Sequence, residues 1–383
     1  MRDYNLRVPV SLKLGHSPSL DMPLTVAAQF PYIGDVKPQR DSDTNMNNPT
    51  PTNGPSVSQL AFGPRAVGVI AGLVSAVLFA SASTGTMLGT FVLFFLSPLP
   101  IGIAGLGWGW VSAAIAAAVA SVVLGLGIAP KAGLVHAIAI GLPTTLSTYY
   151  LLLNRFNGTS DVSGTPQIEW YPLGRIVAGM ALFAGVLSAI SLLSLGTDMD
   201  SIKATFRPMV ERNFVGAPTL GKGTPLSPAR IDELTMLIIA IAPISVAAVW
   251  FAFANLNLWL AALVTNKSAR LSRPWTDLSE ITLPRALTLA FAATVALSLM
   301  GGLVGMLATS FATAILMAYL LVGLAIIHNV TRGSSVRPGI LWAIYVLLFM
   351  LFLMVAPVIA LMGLAEPLLP WRRRLATQPP SPS

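Results

Sequence analysis

Between Ala66 and Asn154 the chain carries a single formal charge, Lys131, and small or apolar residues fill almost every other position. A water-soluble domain cannot use such a run, because its exposed faces need polar cover. A bundle embedded in a bilayer can, because its outer faces meet hydrocarbon. The leading helix of this run, Ala66 to Ser83, places Gly68, Gly72, Ala76 and Ala80 at strict four-residue spacing. That stripe lies on one face and lets another helix backbone approach closely. The expected fold class is therefore all-α: a polytopic transmembrane helix bundle of about 8–9 membrane helices.

Composition supports this class and excludes others. Hydrophobic residues make up 54% of the 383, charged residues 10%, and mean hydropathy is +0.73; an ordinary globular domain has about 25% charged residues. Cysteine is absent, which removes disulfides, Cys-ligated zinc and thiol nucleophiles together. The formal charge of +8 lies after residue 64. In a membrane protein such a balance reflects loops facing anionic lipid. No basic run is interleaved with aromatics, so nucleic acid is not an expected partner; the lipid bilayer is.

Residues 1–64 are polar and rich in Pro, Asn and Ser, and read as a disordered tail. They hold no basic region followed by an apolar run and cleavage site, so they are not a signal peptide. Translation from a later start such as Met46 is a second reading. A transmembrane domain is expected over 65–375, and 376–383 reads as a second disordered tail.

Asking for roughly 20 charge-free apolar residues gives nine segments. They are 66–83, 87–106 (interrupted by Ser97-Pro98-Leu99-Pro100), 111–129, 132–153 (bent at Pro143), 176–195, 229–265 (charge-free over 234–264 and kinked at Pro243), 286–307, 311–331 and 340–364 (containing Pro357). Residues 154–172 read as a polar connection. Asp198–Phe214 reads as an amphipathic helix lying on the membrane surface, with a cover over the bundle as the alternative. If all nine segments cross, each side receives nine of the Lys/Arg from Arg65 onward. The three adjacent arginines Arg372–Arg374 favour a cytoplasmic C-terminus. With a cytoplasmic N-terminus, that gives eight crossings and a second segment that does not cross.

No Asp, Glu, Lys or Arg lies within an expected membrane core, which disfavours ion-coupled transport. The interior polar candidates are His136, Asn255, Asn257, His328 and Asn329. His136 reads first as a helix-end histidine near headgroups, and His328 and Asn329 as an interfacial cap. Asn255 and Asn257 are two residues apart and cannot share a helix face. At most one is expected to line a cavity, Asn255 by preference, while the other bonds a neighbouring helix. The candidate cavity set is thus His136, Asn255 and Asn257.

Gly-x-Ser-x-Gly, His-Glu-x-x-His and Walker A sequences are all missing. Gly216–Gly223 fails as a phosphate loop, because Gly223 stands where a Ser or Thr must reach magnesium. Three histidines make a His-based metal site improbable. No cofactor, no metal and no enzymatic activity are expected.

Several short stretches, in order and spacing, resemble the YybS-like bacterial membrane proteins, a family of unknown function. They are Leu96-Ser-Pro-Leu-Pro100 with Gly105-Leu-Gly-Trp-Gly109, Ile168-Glu-Trp-Tyr-Pro172 with Gly174-Arg175, Asn257-Leu-Trp-Leu-Ala261, Arg273-Pro-Trp275 with Leu283-Pro-Arg285, and Gly363-Leu-Ala365 before Arg372–Arg374. That family in turn looks related to the substrate-binding (S) components of energy-coupling-factor vitamin transporters. There, an Ala-x-x-x-Ala motif on the first helix docks the transmembrane coupling protein. The resemblance implies an S-component-like core over 65–265 with a C-terminal helical extension over 266–375. It also implies a helix-packing or partner face at Gly68, Gly72, Ala76 and Ala80, and a membrane coupling protein with ATPases as partner. Packing of the stripe within the bundle is the alternative. The chain departs from S components in its extra C-terminal helices and in its long loops at 154–175 and 196–233. The expected role is binding or transport of an unidentified small or lipid-like molecule in a bacterial inner membrane. A scaffold of membrane machinery without a ligand is the alternative, and an intramembrane enzyme acting on lipid is the weakest reading.

Overall fold

The computed structural model describes residues 63–81, 92–160, 166–215, 227–367 and 369. The N-terminal tail, the start of the second apolar segment, residues 216–223, the arginines at 372–374 and the C-terminal tail lie outside the described residues.

Proline and glycine punctuate the helices. Helix α1 (Pro64–Ala80) opens with Pro64 in its first turn, where no intrahelical N–H bond is needed. After a short helical turn at 92–95, α2 (Pro98–Trp108) starts at the prolines expected to break it. They sit in its first turn, where proline does least harm. Gly109, at φ 96°, reverses the chain into α3 (Trp110–Gly127). The fourth apolar segment divides into α4 (Pro130–His136), a π-helical turn (Ala137–Gly141) and α5 (Leu142–Leu152).

The polar connection contains a hairpin, β1 (Asn154–Ser160) with β2 (Pro166–Trp170). Asn154 faces Trp170, and Arg155 faces Glu169 at 2.8 Å in a cross-strand ion pair. This is the one departure from an all-helical fold among the described residues.

Helix α6 (Leu173–Leu193) precedes the amphipathic helix α7 (Met199–Val210), which continues as a π turn (Glu211–Val215). Asp198 caps α7 by accepting from the Ser201 N–H at 2.9 Å. The apolar face of α7 does not lie on the membrane surface. Ile202 packs with Leu192, Ile239 and Met306, and the helix covers the end of the bundle. Arg207 ties it to the following helix through Asp232 (2.6 Å) and pairs with Glu211 of its own continuation (3.0 Å).

Helix α8 (Pro228–Lys267) has 40 residues, roughly 60 Å of helix. Its N-terminal part holds α7 through Asp232 and Ile239. Helix α9 (Arg285–Ser298) ends earlier than expected, because Gly301 and Gly302 take positive φ and turn the chain into α10 (Gly302–Val330). The last apolar segment, expected as one span with Pro357 inside it, is not one helix. It breaks at Leu351 (φ −125°, ψ 43°) into α11 (Arg337–Met350) and α12 (Phe352–Ala365). Helix α12 packs back on α10 through Gly323 and Gly363, where an added Cβ would overlap the Ile359 and Tyr319 carbonyls. Helix α11 has no buried residue.

Four of these helices, α3, α6, α8 and α10, are long and apolar enough to cross a membrane. Contacts fix the relative directions. Gly68 and Gly72 of α1 meet Ser112 and Ala116 of α3 in the same ascending order, so α1 and α3 run parallel. The chain between them therefore returns to the start of α3, against the expectation of a second segment that does not cross. The largest apolar cluster joins Leu106, Ala181, Phe251, Ile315 and Ala360. Residues on both sides of the expected boundary at 265 share this cluster, so α9–α12 pack as part of one bundle.

Candidate functional site

The small-residue stripe is internal. A Cβ on Gly68 would come within 2.8 Å of the Ser112 carbonyl, and one on Gly72 within 2.5 Å of the Ala116 carbonyl. Ala76 is buried with Ala120 and Leu124, and Ala80 packs beside them. Helix α3 occupies the face expected for a partner. The opposite face of α1, with Val69, Ile70, Leu73, Val74 and Val77, is the exposed one.

His136 lines no cavity either. It is fully buried in α4 and spans two helices: Nε2 lies 3.0 Å from Ser75 Oγ of α1, and Nδ1 lies 3.0 Å from Ser121 Oγ of α3. Phe79 closes the ring edge. Ser75 also donates to the Ser97 carbonyl at 2.7 Å, so this polar pin joins four segments. The headgroup position expected for His136 is corrected: the turn at Ala129 places Pro130 at the helix start and leaves His136 facing the bundle.

The two asparagines face different spaces. Asn257 of α8 is buried and donates to the Phe95 carbonyl (2.7 Å) and to the Phe253 carbonyl (2.8 Å). It borders a small apolar cavity of about 90 Å³ beside Phe95, Thr144 and Trp250. Asn255, bonded to the Phe251 carbonyl at 2.8 Å, borders a much larger groove of about 690 Å³.

That groove is the candidate site. Its walls are α6 (Ile176, Val177), α8 (Phe251, Trp259), α10 (Leu320, Leu324) and the α11–α12 junction (Leu348, Phe352). Its floor is the loop after α8, residues 271–281. Apolar side chains dominate the walls; Asn255 lies partway along α8, and the other polar groups gather at the end formed by the loop after α8 and the α10–α11 turn: Arg273, Asp277, His328, Arg332, Arg337 and Tyr345. The break at Leu351 creates the space, since an unbroken final helix would place α11 in line with α12.

Two interactions organise the polar end. Asp277 pairs with Arg332 and accepts from the Ser279 N–H at 2.9 Å. The Arg332 side chain holds the Asp277 carboxyl well below the usual carboxylate range, at about 2. His328 Nε2 lies 2.9 Å from the Tyr345 hydroxyl, tying α10 to α11.

Arg273 is different. It is 7% exposed, and its Nη1 donates to the Leu151 (3.2 Å) and Tyr171 (3.0 Å) carbonyls. Its buried Nε has no partner. Burial pushes its pKa down from the ordinary guanidinium value. Arg273 appeared in the sequence only as a loop cation within the Arg273-Pro-Trp275 stretch. Nothing local distinguishes a buried arginine from its exposed neighbours, so its place came from the fold. Among the described residues no three His, Cys, Asp or Glu side chains could together hold a metal ion.

No curated protein and no solved structure matches the chain. Over residues 73–366 it matches the family described as predicted membrane protein (DUF2232). The chain, a membrane protein built from several apolar helices around this groove, therefore belongs to that family, whose function is unknown.

Proposed function

We propose that this protein is a non-enzymatic inner-membrane binding protein or carrier for a small amphipathic, lipid-like molecule held in the groove between α6, α8, α10 and α11. The groove itself carries the reading. Its volume of about 690 Å³ falls inside the roughly 300–1,000 Å³ of ligand sites, and its long apolar walls with polar groups at one end suit an amphiphile. The charge-free helix cores support a ligand that is mostly apolar. The resemblance to S components supports binding with energy drawn from a separate protein, and the absence of a Walker A sequence agrees with an external source. Such a coupling protein would dock away from the α1 stripe, which α3 fills.

The test is organic extraction and mass spectrometry of the protein purified in mild detergent, compared with Ala252→Trp. Ala252 lines the groove and is exposed to it, so an indole there fills the space and leaves the packed core intact. Near-stoichiometric recovery of one amphiphile, lost in the variant, is the expected result. An empty groove in the native protein, with stable protein partners recovered instead, would replace the binding role by a scaffold.

A further inference from the structure

The charges around the groove do not balance. Of its lining residues, Arg273, Arg332 and Arg337 are cationic and Asp277 alone is anionic, so the polar end carries a net charge of +2 with His328 neutral. Asp277 is committed to Arg332. Among the described residues no carboxylate lies within ion-pair range of Arg273 or Arg337.

A guanidinium buried without a counter-charge is costly, because burial strips its hydration; Arg273 has only the face of Trp170, 5.9 Å from its guanidinium carbon, beside it. Two backbone carbonyls accept from Arg273 Nη1, but they neutralise nothing, and Nε keeps one N–H unused in a buried position. A buried unsatisfied donor costs about 1–3 kcal/mol, more when charged. The charge imbalance has a remedy within the groove, an anionic oxygen at its polar end. The Tyr345 hydroxyl lines the same end and can donate or accept there.

Building on the groove reading, we infer that the ligand is an anionic amphiphile: its phosphate or carboxylate head sits between Arg273 and Arg337, and its chain lies along α8 and α10. An arginine fork suits planar or tetrahedral oxyanions and discriminates against a head that carries its own ammonium. The long apolar walls select a lipid over a free anion.

Trp259 and Trp275 line the groove and report on occupancy. The purified full chain in mild detergent is titrated with phosphatidic acid and with phosphatidylcholine, each brominated on its acyl chains, and tryptophan quenching is followed. Expected is saturable quenching that is about tenfold tighter for phosphatidic acid, the scale of one charge-assisted contact. It disappears in the Trp259→Phe/Trp275→Phe variant, and millimolar inorganic phosphate does not displace it.

In Arg337→Gln, and in Arg273→Gln with partial rescue by Arg273→Lys, the preference falls toward unity while phosphatidylcholine binding persists. The Arg337 guanidinium makes no hydrogen bond among the described residues, so its variant tests the inference even if Arg273→Gln fails to fold. Equal binding of the two lipids, or a preference that survives in the folded arginine variants, overturns the anionic head and leaves the groove reading intact. Saturable quenching by neither lipid overturns both. Displacement by inorganic phosphate overturns the amphiphile and leaves a small-anion site.

Discussion

The indole Nε1 of Trp250 donates to the carbonyl oxygen of Ala139 at 2.9 Å, the acceptor whose α-helical partner would be the N–H that Pro143 lacks. In hydrocarbon a carbonyl left without its i+4 donor has no water to turn to, so a side chain on α8 supplies the bond to the α4–α5 segment. The π turn at Ala137–Gly141 takes up the extra residue at the same point. Replacing Trp250 by Phe keeps most of the ring and removes the donor. It should lower stability by about 1 kcal/mol, the scale of an interhelical bond in a membrane. Restoring the backbone donor with Pro143→Ala should recover part of that loss, so a double-mutant cycle in detergent unfolding should give non-additive values. Additive values would mean that the indole only packs there.

The helix periods and the stripe on α1 were legible because each is local. What lies against the stripe was not. A small-xxx-small face records that some backbone approaches, and α3 and an external partner satisfy it equally well. The structure decides for α3 through the Ser112 and Ala116 carbonyls. The same limit applies to Asn255 and Asn257. Their separation onto two faces follows from helical geometry, whereas the spaces those faces meet depend on helices more than fifty residues away. The break at Leu351 left no signal, because Leu351 sits in an uninterrupted apolar run and the nearest proline, Pro357, lies inside α12.

The internal position of the stripe predicts what Gly72→Leu does. The side chain has no space beside Ala116 and Val119, so α1 and α3 must separate. Overpacking of a tight interface typically costs about 1–3 kcal/mol or more. The variant should lose monodispersity and melt earlier in mild detergent, with any co-purifying proteins lost only as the fold is lost. Leu73, its neighbour on the exposed face of α1, is the control, and Leu73→Ala should leave melting nearly unchanged. A well-folded Gly72→Leu that merely sheds a partner would contradict the packing described.

The Asp277–Arg332 pair gives a pH dependence with a definite sign. The folded-state pKa of Asp277, about 2, lies below the ordinary carboxylate value of 3.8, so the unfolded chain takes up the proton first. The contribution of the pair is therefore present above pH about 4 and is lost as pH falls toward 2. Both side chains are largely exposed, so the effect is small and weakens with salt. The melting difference between native protein and Asp277→Asn should shrink over that window. At neutral pH the same substitution raises the polar end from +2 to +3 and should tighten phosphatidic acid binding if the head is anionic.

The chain's lack of cysteine makes its topology directly measurable. Arg273 bonds the Leu151 and Tyr171 carbonyls, Arg270 stacks over Trp108 at 4.3 Å, and Arg332 pairs with Asp277. These contacts gather the ends of α2, α5, α8 and α10 on one face of the bundle. Leu192, Ile202, Ile239 and Met306 gather the other ends of α6, α8 and α10 on the opposite face. Single cysteines at Thr276 and Ser334 should therefore react together with an impermeant maleimide, and cysteines at Thr197 and Met300 should form the opposite class. Labelling in intact cells and after lysis separates the two. If Ser334 labelled with Met300 instead, α10 would not cross, and the groove would lose its polar end.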